Sequence, residues 1–250
     1  MTGRGLFVPR GRYRLSIGLP SRSAQRAPLH HRPSVPRATY VRPVVLVPPP
    51  GWEQAGVQDF DVIFLIDDSG SMYGFGGDND AKRRACALSV VQLMAKGGGG
   101  RVGVVHWGSS APEELVLPLT PVSARRRIEQ ALEIPPTLGG TRLCSGLERA
   151  LGMIETPERH VLVLVITDGL ECPAENHARL VACLPPGSVH LLILDIGGGC
   201  TVTLEAAWQH VGLGSFTRLP HADNAALALE TAGVLARTAG CPPPERSGKT

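Results

Sequence analysis

The chain has 250 residues, 43% of them hydrophobic, which suffices for one sizeable α/β domain with a buried core and barely for two. Its six cysteines (86, 144, 172, 183, 200 and 241) form no Cys-x-x-Cys pair and no zinc-like cluster with the histidines, so a disulfide scaffold and a zinc module are excluded. No apolar run approaches the roughly 20 residues of a membrane span, and "RYRLSIGLP" is too short and interrupted for a signal peptide, so a soluble cytoplasmic protein with reduced thiols is expected.

The net charge of +3 conceals an asymmetry. Residues 1–50 carry nine arginines, no lysine and no acid, with many prolines and the pair His30–His31; the other 200 residues hold 16 basic against 22 acidic groups. Such a segment reads as a solvated, disordered extension, or as an arm for nucleic acid or another acidic partner. Without aromatic interleaving or lysine clusters the first reading is preferred, and nucleic acid is not the expected partner. "VRPVVLVPPPGW" (41–52) reads as an extended linker stiffened by proline. The expected organisation is an extension and linker over 1–56, a domain over 57–240 and a disordered tail, "CPPPERSGKT", over 241–250.

Within the domain, strands and helices alternate. "VIFLI" (62–66) is apolar on both faces, as a strand in the middle of a covered sheet must be. A helix follows in "DAKRRACALSVVQLMAKGGGG", with Ala87, Leu88, Val91, Met94 and Ala95 on one face and the glycines as its stop. "RVGVVHW" and "EELVLPL" read as an antiparallel pair. "SARRRIEQALE" is a short helix capped by Ser123, and "TRLCSGLERALGMIE" a helix with Leu143, Leu147, Ala150, Leu151 and Ile154 on its stripe. "HVLVLVITDG" and "VHLLILDIGG" are further buried strands, separated by a helix around "ENHARLVACL". A helix near "LEAAWQHV", an edge strand "SFTRL" and a last helix "NAALALETAGVLART" complete the domain. The pattern predicts an α/β fold: a doubly wound, mainly parallel sheet with one antiparallel edge strand and helices on both faces.

Oxygen gathers where these strands end. The first runs into Asp67-Asp68-Ser69-Gly70-Ser71, the strand near 161–166 into Thr167-Asp168-Gly169, and "LGGT" places Thr141 just before a helix. Open α/β sheets gather their ligands at this face. Asp67, Ser69, Ser71, Thr141 and Asp168 thus supply five oxygen donors and no sulfur or imidazole, a hard set that suits Mg²⁺ or Mn²⁺ and is too small for a closed Ca²⁺ cage. Each residue alone would serve equally well as a helix cap; the set of five on three ordered elements favours a metal. Gly70 is expected to let the backbone turn between the serines. Neutral hydroxyls leave much of a divalent charge uncompensated.

"DDSGSM", "GGT" and "ITDG", in this order, resemble the metal-ion-dependent adhesion site of the von Willebrand factor type A (VWA) domain, over about residues 57–240. The resemblance implies that Asp67, Ser69 and Ser71 form the first segment of the site, Thr141 the second and Asp168 the third. It implies that the serine hydroxyls, often with the threonine, touch the ion, that the aspartates act largely through bound water, and that a partner carboxylate takes the sixth position. Asp68 fills the motif's variable place, and alternation should turn it away from Asp67. The function implied is a non-enzymatic, metal-dependent protein-binding module, an intracellular adaptor of the kind that serves beside partners such as ATPases.

Enzyme readings fit less well. A phosphoaspartyl-transfer enzyme would place a second aspartate where Ser69 stands, residues 68–72 do not form a nucleophile elbow, and there is no phosphate-binding Gly-x-x-x-x-Gly-Lys loop. His106, His160 and His190 read as partly buried strand histidines, Asp68 and Glu171 as solvated rim acids, and "GGGC" (197–200) as a loop. A metal-assisted hydrolase or phosphatase remains the alternative, beside a nucleic-acid-associated role for the basic arm.

Overall fold

The computed structural model describes residues 43–74, 79–133, 137–155, 158–168, 175–195, 208, 215–220 and 224–247. They belong to the compact unit Arg37–Thr250. The expected helix near "LEAAWQHV" lies outside the described residues except for Trp208, which is buried, and Glu171 and residues 197–200 also lie outside them.

Eight buried residues, Phe60–Asp67, form strand β2, which runs parallel to β3 (Arg101–Trp107) on one side and β5 (His160–Thr167) on the other. A strand apolar on both faces has no edge to offer water, and here it has a helical layer on each side. Val62, Phe64 and Ile66 join one apolar cluster with α2 (Asn79–Lys96) and α6 (Asn224–Thr238). Ile63 and Leu65 join the other with α4 (Leu143–Met153) and α5 (Glu175–Ala182). The period of two thus becomes two cores.

The sheet has six strands in the order β4-β3-β2-β5-β6-β7, with β4 (Val116–Pro121), β6 (Val189–Asp195) and β7 (Ser215–Pro220) completing it. All pairs are parallel except β3–β4, which is the expected antiparallel edge. A brief 3₁₀ turn joins those two strands, and such a short link permits only antiparallel pairing. The chain runs outward from β2 through β3 to β4, then returns to β5 beside β2 and continues the other way. The C-terminal ends of β2 and β5 therefore lie at the point where strand order reverses.

Local details depart from the sequence reading. Helix α3 (Arg125–Ala131) has Ala124 at its N-cap with no side-chain cap, so Ser123 does not cap it. Ala95 is exposed, whereas Cys86, Ser89, Val90 and Leu93 are buried beside the expected stripe of α2. The reason is that α2 is covered on more than one side. Helix α6 packs against it, and the segment before β2 lies along it: Val44 N–H donates to Ser89 Oγ (3.0 Å), Trp52 Nε1 to the Leu93 carbonyl (3.0 Å) and Lys96 Nζ to the Leu46 carbonyl (2.7 Å).

Both ends of the described chain therefore differ from the expected linker and tail. Strand β1 (Leu46–Val47) pairs antiparallel with β8 (Glu245–Arg246), Leu46 is 3% exposed and Trp52 1%. Proline and arginine around them concealed two apolar anchors whose partners lie about forty residues or more away in sequence. The described contacts of the sheet-bearing unit thus extend before residue 57 and past 240. Among the described residues no helix is long and apolar enough to cross a membrane.

Candidate metal centre

Strand β2 ends at Asp67, and the chain turns through Asp68, Ser69 and Gly70 into the single helical turn α1 (Ser71–Gly74). Asp67 Oδ1 accepts the Ser69 N–H at 2.9 Å, and Ser69 Oγ lies 3.1 Å from Ser71 Oγ. Three of the expected donors thus form one hydrogen-bonded chain, with Asp67 and Ser69 buried and Ser71 half-buried.

The third segment joins them across the sheet. The Thr167 hydroxyl, at the end of β5, donates to Asp67 Oδ2 at 2.6 Å, and Asp168 follows it at 1% exposure. The second segment is tied by backbone. Gly70 N–H donates to the Gly139 carbonyl at 2.7 Å, Leu138 N–H to the Asp68 carbonyl at 2.8 Å, and Arg142 N–H to the Gly108 carbonyl at 2.9 Å. Gly139 sits at φ 85°, a left-handed conformation that suits glycine. Thr141 is half-buried on this loop; the cap position of α4 is Arg142, where no side-chain cap bond is made, so Thr141 is not spent on capping. The structure thus links Asp67, Ser69 and Ser71 directly, Asp168 through its neighbour Thr167, and Thr141 through its loop.

The electrostatics suit a cation. Burial pushes the Asp67 carboxyl up to about 6, against the pull of hydrogen bonds from Thr167 and Ser69, and the nearby charge of Asp168 adds to the rise. A buried carboxyl that is costly to ionise, with the Ser69 and Ser71 hydroxyls beside it, is part of a donor set that a divalent ion would relieve. Among the described residues no group of three or more His, Cys, Asp or Glu is placed to hold a metal, so an ion here would rest on hydroxyls as well as on its two acids.

Sequence reasoning missed the groups behind this set. Asp68 is not a solvated rim acid: it is fully buried and paired. Arg83 Nη1, on α2, donates to Asp68 Oδ1 at 2.8 Å and to the carbonyl of Asp67. His106 Nδ1, on β3, meets Asp68 Oδ2 at 2.6 Å, while its Nε2 meets the Ala131 carbonyl at 2.7 Å. That carbonyl can only accept, so Nε2 is the donor there. Asp68 indeed turns away from Asp67, as alternation requires, but toward the buried side chains of Arg83 and His106 instead of water. Only the Asp-Asp dipeptide hinted at this, since a second buried acid needs a counter-charge from elsewhere in the chain.

The other histidines stand apart. His160 is exposed and stacks on Phe60 with ring centroids 5.0 Å apart. His190 is 5% exposed between the hydroxyls of Ser215 (2.6 Å) and Thr217 (2.9 Å), near the opposite ends of the strands. Burial, with the charge of Arg237, lowers its pKa to about 4.

Residues 62–171 match the family model of the von Willebrand factor type A domain. No curated protein matches the sequence. Among solved structures, the chain is similar to an aerotolerance-related membrane protein from Bacteroides fragilis (17% identity, TM-score 0.55, 72% of this chain and 98% of that one). It is also similar to BatB from Bacteroides thetaiotaomicron (17%, 0.54, 72% and 99%). A third similar structure is proximal thread matrix protein 1 of the mussel byssus, described with a zinc-occupied MIDAS motif (19%, 0.55), of which the match covers 48% and of this chain 75%. At these identities the structures speak for the fold alone. The family match spans both the first and the third oxygen-bearing segments, and the strand order places these side by side, so over residues 62–171 the chain is similar to the von Willebrand factor type A domain.

Proposed function

We propose that this domain is a metal-dependent protein-binding module in which Asp67, Ser69, Ser71, Thr141 and Asp168 hold Mg²⁺ or Mn²⁺ and a carboxylate of a protein partner completes the ion's coordination. VWA domains typically mediate interactions between proteins, and one structure of similar fold is described with a divalent ion in its site. The observation that carries the reading is the hydrogen-bonded chain Ser71–Ser69–Asp67–Thr167, which ties two motif segments together at the switch point of the sheet. When bound, the ion would supply an electrophilic centre for an acidic side chain. The residues of the chain orient the donors and exclude water from Asp67 and Ser69. The hydroxyls neutralise none of the ion's charge, which favours an external anion over a closed site.

The partner would be a protein presenting an aspartate or glutamate, with an ATPase as one candidate. Among the described residues, Cys86, Cys144, Cys183 and Cys241 form no disulfide, which suits a cytoplasmic setting. Calorimetric titration of the full chain with Mg²⁺ and Mn²⁺ tests the site: weak binding is expected, lost in Asp67→Ala and Ser69→Ala. Variants that titrate like the parent would remove the assignment.

A further inference from the structure

We infer that Asp68, clamped between Arg83 and His106, is a positioning residue that sets the Thr141 loop of the metal site from behind. The inference rests on the reading of Thr141 and Asp67 as parts of one site, and it assigns a role to three residues that supply no ligand.

The geometry is that of a hub. Every polar atom of Asp68 is engaged: its N–H donates to the Trp107 carbonyl at 2.7 Å, and its carbonyl accepts Leu138 N–H at 2.8 Å and the Thr137 hydroxyl at 3.3 Å. Its two carboxylate oxygens accept from Arg83 and His106. Through His106 Nε2 the same residue reaches the carbonyl of Ala131, the last residue of α3. The connection from α3 to α4, which carries Thr141, is thereby tied to Asp68 directly at Thr137 and Leu138 and, through His106, at the α3 residue Ala131 from which it departs. Arg83 adds a second hold by donating to the carbonyl of Asp67, the residue before the hub.

Burial gives this arrangement its force. Asp68 and Arg83 side chains are fully buried and His106 is 1% exposed, so water cannot replace a lost partner. The clamp also keeps Asp68 from competing as an extra ligand: an acid held on one oxygen by Arg83 and on the other by His106 cannot swing toward an ion on the other side of the turn. The site thereby retains a donor set rich in hydroxyls although its motif contains two adjacent acids.

The test compares Asp68→Asn, His106→Phe and the milder His106→Gln with Cys86→Ala, a buried substitution on α2 that leaves the cluster intact. For each full-length variant we would measure the melting temperature, Mg²⁺ affinity by calorimetry, and amide hydrogen exchange of Leu138 and Gly70 without metal, with Val163 of β5 as reference. Positioning predicts Mg²⁺ affinity lowered about tenfold or more, because bonds to charged groups are lost. It also predicts faster exchange at Leu138 and Gly70 relative to Val163, with Cys86→Ala changing neither at a comparable loss of melting temperature. Cluster variants that lose melting temperature while affinity and local exchange follow the control would overturn the inference. If the parent binds neither Mg²⁺ nor Mn²⁺, the proposed function fails, and the exchange data alone decide: faster exchange upholds the anchoring role and unchanged exchange ends it. Should Asp68→Asn and His106→Phe fail to fold, His106→Gln gives the same two readouts.

Discussion

The hydroxyl of Thr167 donates to Asp67 Oδ2 at 2.6 Å across the ends of two neighbouring parallel strands. Ile66 pairs with Ile166 in the register of β2 and β5, so the next residue of each strand emerges side by side. The bond favours the ionised form of Asp67. We expect Thr167→Val, nearly isosteric, to cost about 1–3 kcal/mol at neutral pH by leaving a buried carboxylate oxygen without its donor. It should also require a higher pH for metal binding, since the proton is then harder to displace. Urea unfolding and Mg²⁺ titrations at pH 6 and 7.5 measure both effects, and a variant matching the parent at both pH values would contradict the role given to this bond.

Two buried groups titrate in opposite senses. Asp67 is raised from 3.8 to about 6, so the stability it contributes to the metal-free fold is fully present below its unfolded value and is lost as pH rises through about 6. His190 is lowered from 6.5 to about 4, so its contribution is present above 6.5 and lost as pH falls through about 4. Each effect amounts to about 3 kcal/mol over the full window. They oppose each other between pH 4 and 6.5, and the metal-free parent should show little slope from this pair. Asp67→Asn should unmask a loss of stability on acidification, and His190→Gln a loss as pH rises from 4 to 6. Denaturant midpoints across that range would decide; parallel curves for parent and both variants would refute the assignment.

Glycine is needed at a different place from the one the motif suggests. A Cβ built on Gly70 would lie 3.7 Å from the Gly139 carbonyl oxygen, an ordinary contact, whereas one on Gly108 would meet Leu138 Cβ at 2.6 Å and its carbonyl oxygen at 2.8 Å. Leu138 stands three residues before Thr141, and Gly108 accepts the N–H of Arg142, just after it. Gly108→Ala should therefore displace the Thr141 loop at a cost of about 1–3 kcal/mol. Its metal affinity should fall while Gly70→Ala binds like the parent. Calorimetry of the two variants side by side provides the check, and the reverse ranking would show that the turn at Gly70 sets the site.

What the sequence made legible depended on range. The sheet could be read because "VIFLI" and "HVLVLVIT" carry apolar residues on both faces, a local property that identifies central strands. The oxygens at their ends follow from that placement. Arg83 and His106 could not be read: each looked like an ordinary polar residue of a helix or strand, and their role exists only where α2 and β3 converge on Asp68. The stripe on α2 was read too narrowly for the same reason, since its extra burial comes from α6 and from the segment around Trp52.

That segment is where composition misled most, and its cost can be measured. Trp52 is 1% exposed, its Nε1 donates to the Leu93 carbonyl, and a Cβ on Gly97 would fall 2.5 Å from the same Nε1. Trp52→Ala should destabilise the domain by about 3–5 kcal/mol, as truncation of a buried aromatic side chain does. A chain beginning at residue 57 should lose at least as much, because β1 and its pairing with β8 go too. Differential scanning calorimetry of both proteins is the test; melting at the parent's temperature would restore the picture of a detached linker.

Whether the ion serves binding or hydrolysis can be decided by what its neighbours are free to do. A metal-assisted hydrolase needs a base to activate water beside the ion and a pocket to hold substrate. Asp68 is the nearest additional acid in the motif, but its two oxygens are held by Arg83 and His106, and His106 has both nitrogens engaged. A carboxylate whose two oxygens are already held by Arg83 and His106 is not placed to take a proton from a water beside the ion. Binding, by contrast, asks only for an exposed ion that lacks compensating charge, which Ser69, Ser71 and Thr141 would leave. A partner or peptide bearing an essential aspartate or glutamate should therefore bind only when Mg²⁺ or Mn²⁺ is present, weakly to Thr141→Ala, and not at all after the acid is changed to its amide. No phosphatase or esterase turnover should accompany binding. Capture that survives chelation, or turnover that is abolished by Asp168→Ala, would move the protein into the hydrolase class.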